Sequence, residues 1–299
     1  MKDPVQNIII VGAGPAGIAA AIQLKRYGYN PILFEAGEVG GLLLNANLVE
    51  NYPGFPGGVT GPELVERFKT QLEQLSISPR MEQVLEVEFR DGVFIVSTEC
   101  GRYHAPYLVA ASGTRPNKLT GIEMEGRVED RIFYYVYPLL GVSGKKLLII
   151  GAGDAAFDYA LNLSKQNRVT VLNRSDELKC LSLLWERAVE DPRIKYIPNT
   201  RVRRISEEAG GRLMVKCQTN EGTCEYSADY LIAAIGRYPN LEFLSESKSI
   251  HPENLASKGL LYKIGDVKNE IYRQTSIAVG DGVRVAMSIY LKDSKGENS

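Results

Sequence analysis

The apolar positions of the chain first form a strand, a glycine-rich turn and a helix in direct succession. The run Asn7–Val11 is rich in β-branched residues and leads into the glycine-rich turn Gly12–Gly17. Apolar residues then recur at helical spacing from Ile18 to Leu24, and a second strand-like run covers Pro31–Glu35. This order predicts a βαβ unit.

The same order of elements returns about 140 residues later. A strand over Lys146–Ile150, a turn over Gly151–Ala156, a helix to about Lys165 and a strand over Val169–Leu172 are predicted. Two such units predict an α/β protein with two Rossmann-like dinucleotide-binding domains, the second inserted within the first. Further strands are predicted at Val93–Val96, Tyr107–Ala111, Tyr230–Ile235 and Leu260–Ile264, and a closing helix through Met287.

Charge and composition exclude several classes of partner. The 299 residues contain 35 basic and 36 acidic side chains, so no electrostatic attraction to nucleic acid is expected. No apolar run is long enough for a membrane span, and the N-terminal run leads straight into the glycine turn instead of a signal-peptide cleavage site. The 4 cysteines form no CxxC pair and the 2 histidines offer little for a metal site, which favours a reducing cytoplasm and predicts no metal.

Each position of the first glycine turn has a physical role. Gly12 permits the tight turn, Gly14 lets the backbone approach a pyrophosphate, and Gly17 lets helix and strand pack closely. The partial positive charge and free N–H groups of the helix N-terminus would face the phosphates. Glu35 ends the second strand, where a carboxylate can accept from a ribose hydroxyl. The turn therefore predicts a dinucleotide site.

The second turn differs at the position that distinguishes NADH from NADPH. Gly151, Gly153 and Ala156 keep the glycine pattern, but the following strand leads to Asn173 and Arg174 instead of an acid. A carboxylate there would repel a 2′-phosphate, whereas Asn followed by Arg tolerates one. This favours NADPH, with NADH and a vestigial nucleotide site as the alternatives.

Motifs over nearly the whole chain resemble one family, the low-molecular-weight thioredoxin reductases. They are GAGPAG, GG at 40–41, ENYPGF at 50–55, ASGTRP, GAGDAA, AIGRYPN, and Gly265-Asp266 followed by IYRQT. The thioredoxin-reductase-like ferredoxin–NADP reductases belong to the same family. The resemblance implies an FAD-binding domain of residues 1–115 and 241–299, an NAD(P)-binding domain of residues 116–240, and a homodimer.

The resemblance also implies cofactor-binding residues. Those of FAD are expected to include Asp266 near the ribityl chain or pyrophosphate and Arg273, Gln274 and Thr275 near the isoalloxazine, while Tyr52 is either a flavin neighbour or a loop aromatic. The full FAD set is Gly12, Gly14, Pro15, Ala16, Gly17, Glu35, Gly40, Gly41, Asn51, Tyr52, Gly113, Gly265, Asp266, Arg273, Gln274 and Thr275. The nicotinamide nucleotide set is Gly151, Gly153, Asp154, Ala155, Ala156, Asp158, Asn173 and Arg174.

Two departures from the family pattern affect the predicted function. Counted back from Gly151, the family's CATCD motif falls on Tyr134–Pro138, so tyrosines stand where the redox cysteines would be. The family's HRRxxxR signature for the 2′-phosphate reads Asn173-Arg174-Ser175 and then Lys179, with at least one arginine missing. The chain is therefore expected to lack the dithiol of a thioredoxin reductase.

These features predict an FAD enzyme that takes electrons from NADPH or NADH to an external acceptor, without a catalytic nucleophile or base. The acceptor is expected to be a quinone or a small redox protein such as ferredoxin or flavodoxin. One alternative is a thioredoxin reductase-like flavoprotein that reduces an external disulfide. The other is a flavoprotein that no longer uses nicotinamide and is fed by another redox protein.

Overall fold

The computed structural model describes residues 6–208, 210–245 and 251–295. The strands are β1 Asn7–Val11, β2 Asn30–Phe34, β3 Glu86–Arg90, β4 Val93–Ser97, β5 Arg102–Ala105, β6 Tyr107–Ala110, β7 Thr114–Pro116, β8 Glu123–Glu125, β9 Ile132–Phe133, β10 Lys146–Ile150, β11 Arg168–Leu172, β12 Ile194–Ile197, β13 Arg201–Glu207, β14 Leu213–Thr219, β15 Gly222–Ala228, β16 Tyr230–Ala233, β17 Arg237–Pro239 and β18 Leu261–Lys263. The α-helices are α1 Pro15–Arg26, α2 Gly61–Gln74, α3 Asp154–Ser164, α4 Ser182–Glu190, α5 Glu242–Ser245, α6 Pro252–Ser257 and α7 Thr275–Ser294.

Contacts divide the chain into two units. Of the described residues, the first comprises 6–44, 49–115, 238–245 and 251–295, and the second comprises 45–48, 116–208 and 210–237. The division thus places 238–240 in the first unit and 45–48 in the second, whereas the sequence predicted the reverse for both segments. Among the described helices, none is long and apolar enough to span a membrane.

The first unit is built around a parallel sheet in the order β18-β6-β1-β2. Strand β1 is buried over Ile8–Val11, because it lies in the sheet with neighbours on both edges and residues packed on both faces. Helices α1 and α7 pack on one face of this sheet. A three-stranded antiparallel sheet, β3-β4-β5, packs its apolar residues into the cluster on the other face.

The second unit repeats the parallel arrangement. Its sheet has the order β12-β11-β10-β16-β9, and helices α3 and α4 pack into the apolar cluster of one face through Phe157 and Trp185. An antiparallel sheet, β15-β14-β13, with β8 parallel at its edge, contributes Val215 and Cys217 to the cluster of the other face. In both units the glycine turn follows the central strand, at the carboxyl edge where ligands bind in such sheets.

Candidate dinucleotide sites

The first glycine turn joins β1 to α1, and each of its glycines meets a different constraint. Gly12 has φ +107°, and a side chain there would overlap the carbonyl oxygen of Ala111. A side chain at Gly17 would overlap the carbonyl oxygen of Gly12. Gly14 differs, since its backbone is extended and no protein atom lies within 4 Å of the position a Cβ would take. The chain itself therefore does not require glycine at position 14, whereas a phosphate approaching the N–H groups of α1 would.

The next two predicted residues of α1 line the start of the helix. Pro15 is the first helical residue, where a missing N–H costs nothing, and Ala16 is buried. A side chain at Gly265 would lie 2.8 Å from the Cβ of Ala16, so the Gly265-Asp266 turn sits against the first turn of α1. A side chain at Gly282 of α7 would lie only 2.3 Å from the carbonyl oxygen of Ala16. The fold thus brings the first turn of α1 against the Gly265-Asp266 turn and α7, at the predicted pyrophosphate site.

Glu35 lies just after β2 and faces the same turn. Its carboxylate accepts hydrogen bonds from the N–H groups of Ala13, at 2.8 Å, and Gly37, at 2.9 Å. A carboxylate has about four acceptor positions, so it can still accept from a ribose hydroxyl. Gly40 donates to the carbonyl of Ala13 at 2.8 Å, and the position of a Cβ on Gly41 would lie 3.5 Å from the Cα of Gly14.

The ENYPGF loop meets the start of α7 within the first unit. Asn51 donates from Nδ2 to Oε1 of Gln274 at 2.8 Å, and its carbonyl accepts from the Ser276 hydroxyl at 3.3 Å. The loop from Glu50 to Pro56 lines a cavity of about 310 Å³. Tyr52 in this loop packs against Phe55 and Phe68, and burial raises the pKa of its hydroxyl. The structure therefore places Tyr52 as a packed aromatic of the cavity wall.

Arg273 supplies an observation that points to a bound group. Its Nε atom is buried and has no hydrogen-bond partner in the described part of the chain. A buried guanidinium N–H without an acceptor is costly, and a polar edge of a cofactor would satisfy it. Arg273 immediately precedes Gln274 and Thr275 at the start of α7, so the three predicted isoalloxazine neighbours are adjacent.

A second polar atom without a partner lies near Gly113, at a position that the predicted set missed. Asn240 Oδ1 is buried and unpaired within the described residues. The Asn240 N–H donates to the carbonyl of Gly113 at 3.0 Å, and its carbonyl accepts from the Ser112 hydroxyl. The signal was present in the sequence, since Asn240 ends AIGRYPN and Ser112 belongs to ASGTRP.

The second glycine turn, between β10 and α3, reproduces the geometry of the first. Gly151 has φ +124°, and a side chain there would overlap the carbonyl oxygen of Ala234. Gly153 is extended, with the carbonyl oxygen of Lys179 at 3.6 Å from a built Cβ as its nearest neighbour. Ala156 is fully buried where the first turn has Gly17, whereas Ala155 is exposed. Asp154, at the helix start, accepts from the Leu181 N–H at 2.8 Å.

The segment Asn173–Lys179, here called the ribose loop, follows β11. Asn173 is buried, and its side chain donates to the carbonyl of Glu177 at 2.9 Å and to the Tyr196 hydroxyl at 3.0 Å. Both hydrogen bonds of the Asn173 amide group therefore stabilise the ribose loop. Arg174 is exposed. Lys179 forms an ion pair with Glu177, with Nζ and Oε2 3.2 Å apart.

Asp158 lies on α3 and is largely buried. It accepts the Asn47 N–H at 2.9 Å, while Lys165 donates to the side chain of Asn47 at 2.6 Å. Burial raises the pKa of Asp158 to about 6, against the opposing effect of the Asn47 hydrogen bond. Asn45 belongs to the same unit, and its side-chain oxygen accepts hydrogen bonds from the N–H groups of Val136 and Tyr137. Sequence reasoning missed Asn45 and Asn47, which belong to no motif.

The segment Tyr134–Tyr137 is held by its own contacts within the second unit. The hydroxyl of Tyr134 accepts the Leu119 N–H at 3.2 Å, and Lys118 lies over the Tyr134 ring. Arg237 lies over the Tyr135 ring and donates to its hydroxyl at 3.3 Å, while Val136 is fully buried. These side chains pack a structural segment and include no thiol.

The four cysteines are free and offer no exchange-ready dithiol. Cys217 and Cys224 stand directly opposite each other on the paired strands β14 and β15. Cys217 is fully buried, and burial raises the pKa of its thiol to about 12. Because the thiolate is the reactive form, Cys217 is a poor exchange partner.

Each unit therefore carries one complete glycine turn with space at its second glycine, and the first unit also holds buried polar atoms that lack partners. These features fit two dinucleotides, FAD at the first turn and a nicotinamide nucleotide at the second. Of the predicted FAD residues, Ala16, Glu35, Gly40, Gly41 and Gly265 contact or adjoin the first turn. In the second unit the side chain of Asn173 faces the interior of its own loop.

Comparison with known proteins agrees with this geometry. Residues 6–282 match the family model described as pyridine nucleotide-disulphide oxidoreductase. The chain is 30% identical to a thioredoxin reductase of Streptomyces clavuligerus over 95% of this chain and 92% of that protein. It is also 30% identical to a thioredoxin reductase of Chlamydia pneumoniae, over 94% of this chain and 96% of that protein. The crystal structure of Lactococcus lactis thioredoxin reductase superimposes with a TM-score of 0.83 at 25% identity, covering 96% of this chain and 98% of that chain.

These matches confirm the predicted fold class and the predicted resemblance to low-molecular-weight thioredoxin reductases. Proteins of this type use FAD and NADPH, so the cofactor prediction is confirmed as well. The molecule is an oxidoreductase and a flavoprotein. It belongs to the pyridine nucleotide-disulphide oxidoreductase family.

Proposed function

We propose that the chain is an FAD-dependent NAD(P)H oxidoreductase that delivers electrons directly to an external acceptor, without a dithiol of its own. The observation that carries this proposal is the Tyr134–Tyr137 segment, which falls, counted back from Gly151, where the resemblance places the family's redox cysteines. Bound FAD would supply the electron chemistry, since a flavin accepts a hydride from nicotinamide and releases its electrons singly or as a pair.

The chain's own residues would bind and orient the two nucleotides. The N–H groups at the start of α1 would face the FAD pyrophosphate through the space at Gly14, with Glu35 accepting from the ribose. Arg273 would direct its unpaired Nε–H at the flavin. The start of α3 would receive the nicotinamide nucleotide at Gly153. No side chain is needed as nucleophile or general base, because the bound cofactors would supply the electron-transfer chemistry.

For the acceptor we propose a quinone or a small iron–sulfur or flavin protein. A tyrosine phenol does not exchange two electrons reversibly at physiological potentials, so Tyr134 and Tyr137 cannot replace a dithiol. The second candidate is a disulfide carried by another molecule, and the thioredoxin reductase names of the relatives support it. The predicted alternative without nicotinamide is disfavoured by the second glycine turn, whose geometry matches the first.

A steady-state comparison of acceptors tests the proposal. Purified FAD-loaded protein is supplied with NADPH or NADH and with ferricyanide, a soluble quinone, thioredoxin or a small-molecule disulfide. We expect turnover with the first two acceptors and little with the disulfides. A Cys217→Ser/Cys224→Ser double variant is the control, and it should match the parent. Efficient reduction of thioredoxin by the parent would favour the second candidate. If the double variant then lost this thioredoxin reduction, Cys217 and Cys224 would be acting as a dithiol, and the proposal would be refuted.

A further inference from the structure

The ribose loop is held in a fixed position beside the second glycine turn. Asn173 holds it from within, through the bonds to Glu177 and Tyr196 described above. At its far end the Lys179 N–H donates to the carbonyl of Ala152 at 3.1 Å. Lys179 also forms a parallel β-bridge with Gly153. The charged side chains of this loop therefore lie next to the start of α3, where the adenosine half of a nucleotide binds in such folds.

The charges in the ribose loop cancel. Arg174 and Lys179 are balanced by Asp176 and Glu177, and all four side chains are exposed. Glu177 also pairs directly with Lys179. A 2′-phosphate would thus meet one cation already engaged by a carboxylate and a second carboxylate close by.

We propose that Glu177 is a specificity-determining residue that lowers the preference of this site for the 2′-phosphate, so that NADH serves about as well as NADPH. The inference rests on the proposed use of NAD(P)H. A carboxylate near the adenine ribose repels a phosphate and tolerates a hydroxyl, which is the usual basis of NADH selection in dinucleotide folds. In this chain the residue after the strand is Asn173, whose side-chain amide is already bonded inside the loop. The carboxylate that would repel the phosphate is therefore that of Glu177, within the ribose loop.

The effect has a limited size because the pair is exposed. Exposed ion pairs change an equilibrium by about two- to fivefold, and salt screens them. Glu177→Gln is therefore expected to tighten binding of a 2′-phosphorylated nucleotide by about two- to fivefold, and the gain should shrink at high ionic strength. Glu177→Arg, which adds a cation, should give a gain of about tenfold.

The test uses FAD-loaded protein and two adenosine fragments, so it does not depend on turnover. Calorimetry measures the affinity of adenosine 2′,5′-bisphosphate and of 5′-AMP for the parent, for Glu177→Gln and for Glu177→Arg. Glu221→Gln is the matched control, since it removes the same charge at the exposed turn between β14 and β15. Anaerobic flavin reduction by NADPH and by NADH is then measured on the same samples.

Selective tightening of the bisphosphate in both Glu177 variants, with 5′-AMP and the control unchanged, would support the inference. Equal changes for both fragments, no change, or no measurable binding of either fragment would overturn it. A parent protein that uses NADPH more than a hundredfold better than NADH would also overturn it. Failure of both nucleotides to reduce the flavin would instead refute the proposed function, while the fragment affinities would still decide the role of Glu177.

Discussion

Substitution of the second glycine in each turn should separate folding from cofactor binding. No protein atom lies within 4 Å of a Cβ at Gly14, and the backbone there is extended. Gly14→Ala should therefore change the free energy of unfolding of the FAD-free protein by only about 1 kcal/mol, as a helix N-cap substitution does. The added methyl group would instead occupy the space of the pyrophosphate.

The expected loss of FAD affinity follows from the hydrogen bonds removed. Each charged hydrogen bond contributes about 1.5–3 kcal/mol, so losing two weakens binding by roughly 3–6 kcal/mol. That corresponds to a factor of about a hundred to ten thousand.

Gly14→Val should abolish FAD binding. Gly17→Ala should instead destabilise the FAD-free protein, by about 3 kcal/mol or more, because its Cβ would overlap the carbonyl oxygen of Gly12.

Gly153→Ala provides the matched variant in the second unit. Its Cβ would lie 3.6 Å from the Lys179 carbonyl oxygen, which is an ordinary contact, so the fold and FAD should be retained. Flavin absorbance per chain, circular dichroism and the rate of flavin reduction separate these outcomes. Stoichiometric FAD in Gly14→Val, or normal reduction by NAD(P)H in Gly153→Ala, would refute the assignment of the turns.

The remaining predictions concern stability and assembly. The raised pKa of Asp158, about 6, means that the folded chain holds this proton more tightly than the unfolded chain. Stability should therefore fall as pH rises from about 4 to 6, by at most about 3 kcal/mol, and Asp158→Asn should raise Tm at pH 8 but not at pH 4. Asp293 accepts from the hydroxyls of Tyr29 and the buried Tyr107, so Asp293→Ala should cost about 3 kcal/mol in denaturant unfolding and Asp293→Asn less than half of that. The homodimer implied by the resemblance should appear in light scattering, and a mass near 33.0 kDa would contradict it.

The sequence predicted the elements whose patterns are strongest. Strands β1 and β10 have the predicted bounds, because each is a continuous apolar run that ends at a glycine turn. The last strand covers Leu261–Lys263, one residue less at each end than predicted, although Leu260 and Ile264 still hydrogen-bond Leu108 and Ala110 of β6. The antiparallel sheets were predicted only in part, because their strands carry charged residues on an exposed face and give a weak alternation.

The candidate site was predictable where a motif fixes backbone geometry. It was less predictable where a side chain's hydrogen-bond partners come from distant parts of the sequence. The strain at Gly12 and the space at Gly14 follow from the turn itself. The commitment of Asn173 to its own loop depends on Tyr196, which lies on a different strand, and no local pattern shows it. The orphaned Nε of Arg273 is likewise a property of burial and not of sequence.

In the proposed function, no redox-active dithiol carries electrons between the flavin and its acceptor. Anaerobic reductive titration of the purified, FAD-loaded protein measures this directly, as the number of electrons taken up before the flavin is fully reduced. We expect about two electrons per FAD, the capacity of the flavin alone. Uptake of about four electrons per FAD would reveal an additional two-electron group and refute the proposed direct transfer.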